Sequence, residues 1–453
     1  MSTVCAIATP SAAGGISVIR ISGEDAVEIA ARVFKPASGR DVRTLEGYRA
    51  AYGRIYDGDT RLDDGVVLVF RAPHSYTGED AAEISCHGGI YVTRRVMTAC
   101  LKAGAVPAAA GEFTKRALLN GKMSLTQAEA VADIIGAQGE QLLSCSNSQR
   151  EGALFRRAEA IADSITAVSS QIAAWIDYPD DDTPVVTADW LTERLSSIKA
   201  ELDELLGGYD TGRLIREGIS CAIVGKPNVG KSTLMNLLYG GERSIVSNIA
   251  GTTRDIVEET VTLGGVVLRL ADCAGIRETD DPVEKIGVDI MLKRLEAADL
   301  AIAVFDGAER LSEEDRRLIP LLSGKETICV VNKSDLEQKI ELEELEELFP
   351  HIVSLSAANE SAAGILAQEI SRCMRLDSLN PDAGFLANER QRSCIMRAAA
   401  AADDALKAVR SGVTTDAVGV MLEQALDAVY ELSGRNAADE VIDQVFKRFC
   451  VGK

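Results

Sequence analysis

The sequence predicts a multidomain protein: an α+β domain at the N-terminus, an all-α helical domain in two separated pieces, and an α/β domain inserted between those pieces. Three observations predict it. Residues 1 to 120 mix short alternating segments with Gly and Pro. From Ser124 to about Arg216, and again from Asn388 to Phe449, apolar residues recur at helical spacing. Between them, residues 218 to 376 alternate apolar strands with helical stretches, the pattern of a parallel sheet. The expected boundaries are 1–120, 121–217, 218–376 and 377–453, and 453 residues are enough for each domain to bury a core.

Ile16-Ser17-Val18-Ile19-Arg20-Ile21 alternates as a half-buried strand does. The first helical piece opens at Ser124-Leu125-Thr126-Gln127, a capping-box spacing in which the two side chains satisfy free N–H groups at the helix end. Tyr178-Pro179-Asp180-Asp181-Asp182 predicts an exposed loop within it. The last helix carries Ile442, Val445, Phe446 and Phe449 on one face, and no internal repeat is found.

Bulk properties exclude several classes. No apolar run approaches the roughly 18 residues that span a bilayer, and Met1 to Gly23 lacks the basic start and apolar block of a signal peptide. The expected location is cytoplasmic, with no membrane partner. Ten cysteines are scattered without a Cys-x-x-Cys pair, beside only three histidines, so neither a zinc site nor a disulfide framework is expected. A net charge of −21 argues against general binding to a phosphate backbone.

The inserted domain carries the clearest chemistry. A strand, Ile219 to Val224, runs into Gly225-Lys226-Pro227-Asn228-Val229-Gly230-Lys231-Ser232-Thr233 and then a helix through Leu238. This is the phosphate-binding loop in its required strand–loop–helix context: glycines let backbone N–H groups face phosphates, Lys231 reaches the β and γ phosphates, and Ser232 ligates Mg²⁺. A strand at Val266–Leu270 leads to Asp272-Cys273-Ala274-Gly275, where Asp272 holds Mg²⁺ through water and the Gly275 N–H senses the γ-phosphate. A third strand, Thr327 to Val331, ends in Asn332-Lys333-Ser334-Asp335. Asp335 can accept from the N1–H and 2-amino group of guanine; adenine has neither donor and would leave the buried carboxylate unpaired. Ser356-Ala357-Ala358, after a strand from His351 to Leu355, supplies a backbone N–H for guanine O6. Four motifs in order make GTP the expected ligand of a P-loop GTPase (Ras-like) domain.

The position after Asp-x-x-Gly, where Ras-type GTPases orient the attacking water with Gln, is Ile276. Either hydrolysis is slow, or another residue and a cation do the work. The first domain is less explicit from its residues alone. Arg20, Glu83 and Lys122 follow no spacing rule and read as surface or paired charges, and His87 as a turn residue.

The ordered set Gly-Lys-Pro-Asn-Val-Gly-Lys-Ser, Ala250-Gly251-Thr252-Thr253-Arg254-Asp255, Asp-x-Ala-Gly-Ile-Arg-Glu, Glu284-x-Ile-Gly and Cys450-Val451-Gly452-Lys453 resembles the MnmE (TrmE) family of tRNA uridine-modifying GTPases. Ser75-Tyr76-Thr77-Gly78-Glu79-Asp80, Cys86-His87-Gly88-Gly89 and Gly111 to Lys122 extend the resemblance over essentially the whole chain. It implies an α+β N-terminal domain of folate-binding type, which dimerises and binds a reduced folate (5-formyl- or 5,10-methylene-tetrahydrofolate) through Arg20, Glu83, Lys122 and Lys453. It implies that Glu284 acts on the nucleophilic water through a bridging water, and that Thr253 joins Ser232 on Mg²⁺. It further implies a K⁺ site made by Asn228 with carbonyls of the loop Ser247, Asn248, Ile249, Ala250, Gly251 and Thr252, formed as two G domains of a homodimer close. Ser247, Ile249 and Thr252 stand as the loop's K⁺ ligands. Cys273 departs from the family's Thr while leaving Asp272 and Gly275 in place. Cys450 is a candidate nucleophile or simply a helix-end thiol. The implied function is modification of C5 of tRNA wobble uridine 34 together with the flavoprotein MnmG (GidA). The competing reading is a ribosome-assembly switch GTPase, which shares the G-domain motifs without the first domain and the tail.

Overall fold

The computed structural model describes residues 2–178, 185–240, 259–270, 293, 295–378, 380–447 and 449–452. The chain divides into two compact units, Met1–Ala132 with Asp427–Lys453, and Asp133–Leu426.

The first unit is built on seven strands: β1 (Val4–Ile7), β2 (Ile16–Ser22), β3 (Phe34–Pro36), β4 (Arg49–Asp57), β5 (Thr60–Phe70), β6 (Ala81–His87) and β7 (Val106–Pro107). They lie in the order β3-β4-β5-β6-β2-β1-β7. All pairings are antiparallel except the short β1–β7 edge. Alternation decides the faces. Ile19, Ile21, Ile55, Val67, Val69, Ala82 and Ile84 point to a core completed by α1 (Ala26–Val33) and α2 (Ile90–Lys102). The opposite face takes the intervening residues, among them Arg20 and Glu83, which are direct cross-strand partners.

Helix α3 (Glu112–Leu119) follows, and α4 (Leu125–Gly136) opens with the expected box: the Gln127 N–H donates to Ser124 Oγ at 3.3 Å, and the Ser124 N–H donates to Gln127 Oε1 at 2.9 Å. The final helix, Asp439–Phe446, buries Ile442 and Phe446, with Phe449, against Leu125 and Ala128. Residues 427–453 therefore group with the N-terminal unit, whereas periodicity alone groups them with the helical pieces. Helical spacing reveals an apolar face but not what that face packs on.

The second unit contains helices α5 (Glu140–Arg150), α6 (Ala153–Asp177), α7 (Ala188–Gly207) and α8 (Tyr209–Glu217), joined after the sheet domain by Glu389–Arg410, which packs along α7. Asn388 caps that later helix by accepting from the Gln391 N–H at 2.9 Å. Its sheet comprises β8 (Ile219–Val224), β9 (Glu259–Leu263), β10 (Val266–Leu270), β11 (Leu300–Asp306), β12 (Thr327–Asn332) and β13 (Ile352–Ser354). The order is β13-β12-β11-β8-β10-β9, parallel except for the β9–β10 hairpin. Strands β11 and β12 are buried throughout and covered on both faces, as parallel strands in α/β folds are. Parallel pairing brings the C-terminal ends of β8, β11 and β12 to one edge, where ligands of such sheets bind. Among the described residues, no helix is long and apolar enough to cross a membrane.

Candidate functional site

At that edge, β8 gives way to the loop Gly225–Gly230 and then to helix α9 (Lys231–Gly240). Gly225 (φ +152°) and Gly230 (φ +101°) occupy conformations that disfavour side chains. A Cβ at Gly225 would lie 2.4 Å from Val304 O, and one at Gly230 would lie 2.1 Å from Asn332 Nδ2. Lys231 Nζ arcs back over the loop and donates to Gly225 O at 2.7 Å and Lys226 O at 2.5 Å. Ser232 and Thr233 are exposed in the first helical turn, where N–H groups lack intrahelical partners and the dipole favours an anion. Val229 is buried, and exposed Asn228 holds φ +63°.

The segments that the sequence offers for base recognition stand beside this loop. Asn332, 3% exposed, donates through Nδ2 to Val229 O at 2.8 Å and accepts at Oδ1 from the Ala357 N–H at 2.9 Å. One buried amide thus ties the phosphate loop to Ser356-Ala357-Ala358. Lys333, also at positive φ, donates to Asp306 Oδ2 at 2.5 Å. The Ser356 hydroxyl donates to Asp335 and, with a backbone N–H, holds its carboxyl below the usual range, so it is ionised at neutral pH. Asp335 is exposed, not buried as the sequence suggested, because its loop caps the sheet edge rather than entering the core. Ser247 to Thr253, Asp272 to Gly275 and Glu284 lie outside the described residues.

Sequence reasoning missed an acidic set after β11. Asp306 receives Lys333, and Lys226 of the phosphate loop lies 3.1 Å from both Glu309 and Asp315. The signal was Ser312-x-x-Asp315, a second capping box.

In the first unit, Arg20 Nε donates to Glu83 Oε1 at 2.8 Å, and its NH1 group donates to Gly452 O at 3.2 Å. Its guanidinium carbon lies 5.6 Å from the Phe113 ring centroid and 6.0 Å from that of Tyr76. Lys122 Nζ donates to Pro73 O at 3.0 Å, on the loop that carries Tyr76. The tail is docked: Val451 bridges to Ala110, and the Gly111 N–H donates to Cys450 O at 3.3 Å. Lys453 lies outside the described residues.

Cys450 is exposed, whereas the other eight described cysteines are buried. Burial pushes the Cys5, Cys86 and Cys145 thiols up to about 11 and those of Cys329 and Cys373 up to about 12, which keeps them protonated. His87 is a strand-end residue, not a turn residue. Its Nδ1 pairs with Asp63 Oδ1 at 2.8 Å, and its ligating atom lies within 4.8 Å of those of Asp63 and Asp64.

The nucleotide edge fits a nucleoside triphosphate with Mg²⁺: a glycine cradle, an ammonium laid across it, a hydroxyl at the helix start and an ionised carboxylate beside the base loop. Comparison with known proteins agrees. Residues 3–122 match the family model described as GTP-binding protein TrmE N-terminus, and residues 125–450 match that of the MnmE helical domain. Proteins called tRNA modification GTPase MnmE align over 100% of this chain: at 41% identity in Lactobacillus acidophilus (98% of that protein), 37% in Clostridioides difficile (99%) and 38% in Bacillus subtilis (100%). The chain belongs to the MnmE family of tRNA modification GTPases.

Proposed function

We propose that this GTPase is potassium-dependent and acts with the flavoprotein MnmG on certain tRNAs. It adds an aminomethyl or carboxymethylaminomethyl group to C5 of wobble uridine 34, drawing the one-carbon unit from a reduced folate. The observation that carries this reading is the Arg20–Glu83 pair at 2.8 Å, with the Gly452 carbonyl on the same guanidinium. Strand pairing and the docked tail bring together three elements remote in sequence, on a partly exposed face. A pterin presents an amide N–H and a 2-amino group side by side, and Glu83 can accept from both. Arg20, Lys122 and Lys453 supply cations for the folate's polar and anionic groups. Exposed Ile16, Tyr52 and Val66 lie on the same sheet face and support pairing of two copies there.

At the nucleotide edge, Ser232 with Thr253 would hold Mg²⁺. Asn228, exposed and offering a hard amide oxygen, would hold K⁺ with carbonyls of Ser247, Ile249 and Thr252. These ions supply positive charge where negative charge develops between the β and γ phosphates. Glu284 would orient the water, and Cys450 remains a candidate nucleophile toward the uracil ring.

The test is reconstitution with MnmG, tRNA, GTP and a reduced folate, in matched potassium and sodium buffers, followed by nucleoside analysis of position 34. The expected result is a modified uridine in potassium, lost on omitting the folate and strongly reduced in Glu83→Gln. Equal GTP turnover in both salts, or modification that ignores the folate, would overturn the reading.

A further inference from the structure

Lys226 is the second residue of the phosphate loop, and its side chain reaches the acidic segment after β11. Its Nζ lies 3.1 Å from Glu309 Oε2 and 3.1 Å from Asp315 Oδ2. The two partners differ in environment. The Glu309 side chain is 63% exposed, so that contact contributes little. Asp315 is 3% exposed, and its Oδ2 also accepts from the Ser312 N–H at 2.9 Å and from Ser312 Oγ at 2.6 Å, while Oδ1 has no hydrogen-bond partner among the described residues. Buried charges of this kind are held only by their partners, so removing one leaves the other exposed to the full cost of burial. Burial opposes the Lys226 charge, but the hydrogen bonds to Asp315 and Glu309 outweigh it and raise its pKa, so the ammonium persists.

The backbone of the same residue meets Lys231. Lys226 O and Gly225 O are the two carbonyls on which Lys231 Nζ rests. One residue thus joins Asp315 through its side chain to Lys231 through its carbonyl. A cavity of about 660 Å³ lined in part by Lys226, Asn228, Asp306, Glu309 and Lys333 lies beside this junction.

We propose that Lys226 is a positioning residue of the GTPase: clamped to Asp315, it fixes the carbonyls of Gly225 and Lys226 so that Lys231 is presented to the β and γ phosphates in one orientation. The proposal rests on the reading of this loop as the GTP phosphate site. Lys226 touches no reacting atom; it acts through Lys231. Asp315 is the partner that matters, and Glu309 is a solvated accessory.

The test is steady-state GTP turnover of the full chain, with circular dichroism of each variant to give the folded fraction. Lys226→Met should raise KM for GTP about tenfold while kcat per folded enzyme stays within about twofold, since Lys231 loses a fixed orientation that serves ground-state and transition-state binding alike. Asp315→Asn, which keeps the oxygen that meets Ser312 and Lys226 but removes its charge, should raise KM in the same direction by a smaller factor and provides the reading if Lys226→Met folds poorly. The double variant should be no worse than the worse single variant, and Lys226→Arg should recover KM to within about threefold. Glu309→Gln should change KM less than about twofold. A fall in folded fraction with KM unchanged in both single variants would make the pair purely structural and overturn the proposal, as would additive losses in the double variant. Absence of saturable GTP turnover in the parent chain would instead overturn the assignment of the loop itself.

Discussion

At the phosphate loop the chain places its groups with backbone and one buried amide. Gly225 and Gly230 allow approaches that no other residue could make, and Asn332 spans from Val229 to Ala357 with both ends of its side chain. At the Arg20 cluster it places groups with charges carried on neighbouring strands, Arg20 and Glu83 being 21% and 25% exposed. The first arrangement cannot absorb an added atom without moving Asn332 and, through it, the Ser356-Ala357-Ala358 loop. The second can exchange partners, because partly exposed ion pairs are held by about 1 kcal/mol or less and a ligand can replace either contact. Substitutions at the nucleotide edge should therefore act as steps, and those at the cluster as graded changes in ligand affinity.

The largest test of that contrast is Glu284→Ala. If Glu284 orients the water as proposed, kcat should fall on the order of 10²–10⁴-fold while GTP affinity stays near that of the parent. Single-turnover hydrolysis beside equilibrium nucleotide binding checks it, and normal turnover would remove Glu284 from the chemistry. Next comes Asp335→Asn. If Asp335 accepts from the N1–H and 2-amino group of guanine, two hydrogen bonds to an ionised carboxylate are lost, so GTP should bind on the order of 10²-fold more weakly, whereas xanthosine triphosphate, with an acceptor at position 2, should gain. Unchanged GTP affinity would sink the base-reading role of Asp335, and reduced-folate binding should not move in either variant.

The contrast also explains what could be read in advance. The phosphate loop, the Asn-Lys-x-Asp segment and the Ser124–Gln127 cap are contiguous, so a local pattern carries all their geometry. Arg20 and Glu83 meet only through the register of β2 against β6, and Lys226 meets Asp315 only across the edge of the second sheet. No spacing rule encodes such meetings; for the first, the family resemblance supplied what the residues alone did not. The exposure of Asp335 was misjudged because recognition of a base suggests burial, while the loop itself stands on the surface. Phe446 and Phe449 declared an apolar face whose partner, Leu125 with Ala128, is remote in sequence.

A smaller effect should follow Gly452→Ala. Gly452 sits at φ +99°, where a Cβ would lie 2.5 Å from Ile7 O, so the substitution should release the tail and with it the Arg20–Gly452 contact, at a cost of about 1–3 kcal/mol for that local docking. Carboxypeptidase should then trim the C-terminus faster than in the parent, and reduced-folate binding should weaken, with GTP turnover unaltered. Equal trimming rates would mean that the tail is not held by this approach.

The smallest effect concerns His87, at the far end of the strand that carries Glu83. Asp63 accepts from both its ring and its backbone N–H at 2.8 Å, and the side-chain hydrogen bond to Asp63 raises the His87 pKa above the usual histidine value. Burial works against the Asp63 charge, but those same His87 hydrogen bonds outweigh it and leave its pKa lowered. The signs fix the window. A raised histidine contributes stability that is complete below its unfolded pKa and is lost as pH rises through the folded value; a depressed carboxylate contributes above its unfolded pKa and loses that as pH falls through the folded value. The pair therefore contributes fully between the two unfolded values, fades from each towards its folded value, and is gone beyond them. With only three histidines in the chain, the imidazole resonances can be followed singly by NMR. In Asp63→Asn, His87 should titrate closer to the ordinary value of about 6.5, with His74 and His351 unmoved and GTP turnover unchanged. A parent His87 that already titrates at the ordinary value would show that this cross-strand pair, unlike Arg20 with Glu83, is too solvated to hold a charge, and would confine the charge-pairing description of the sheet face to its more sheltered end.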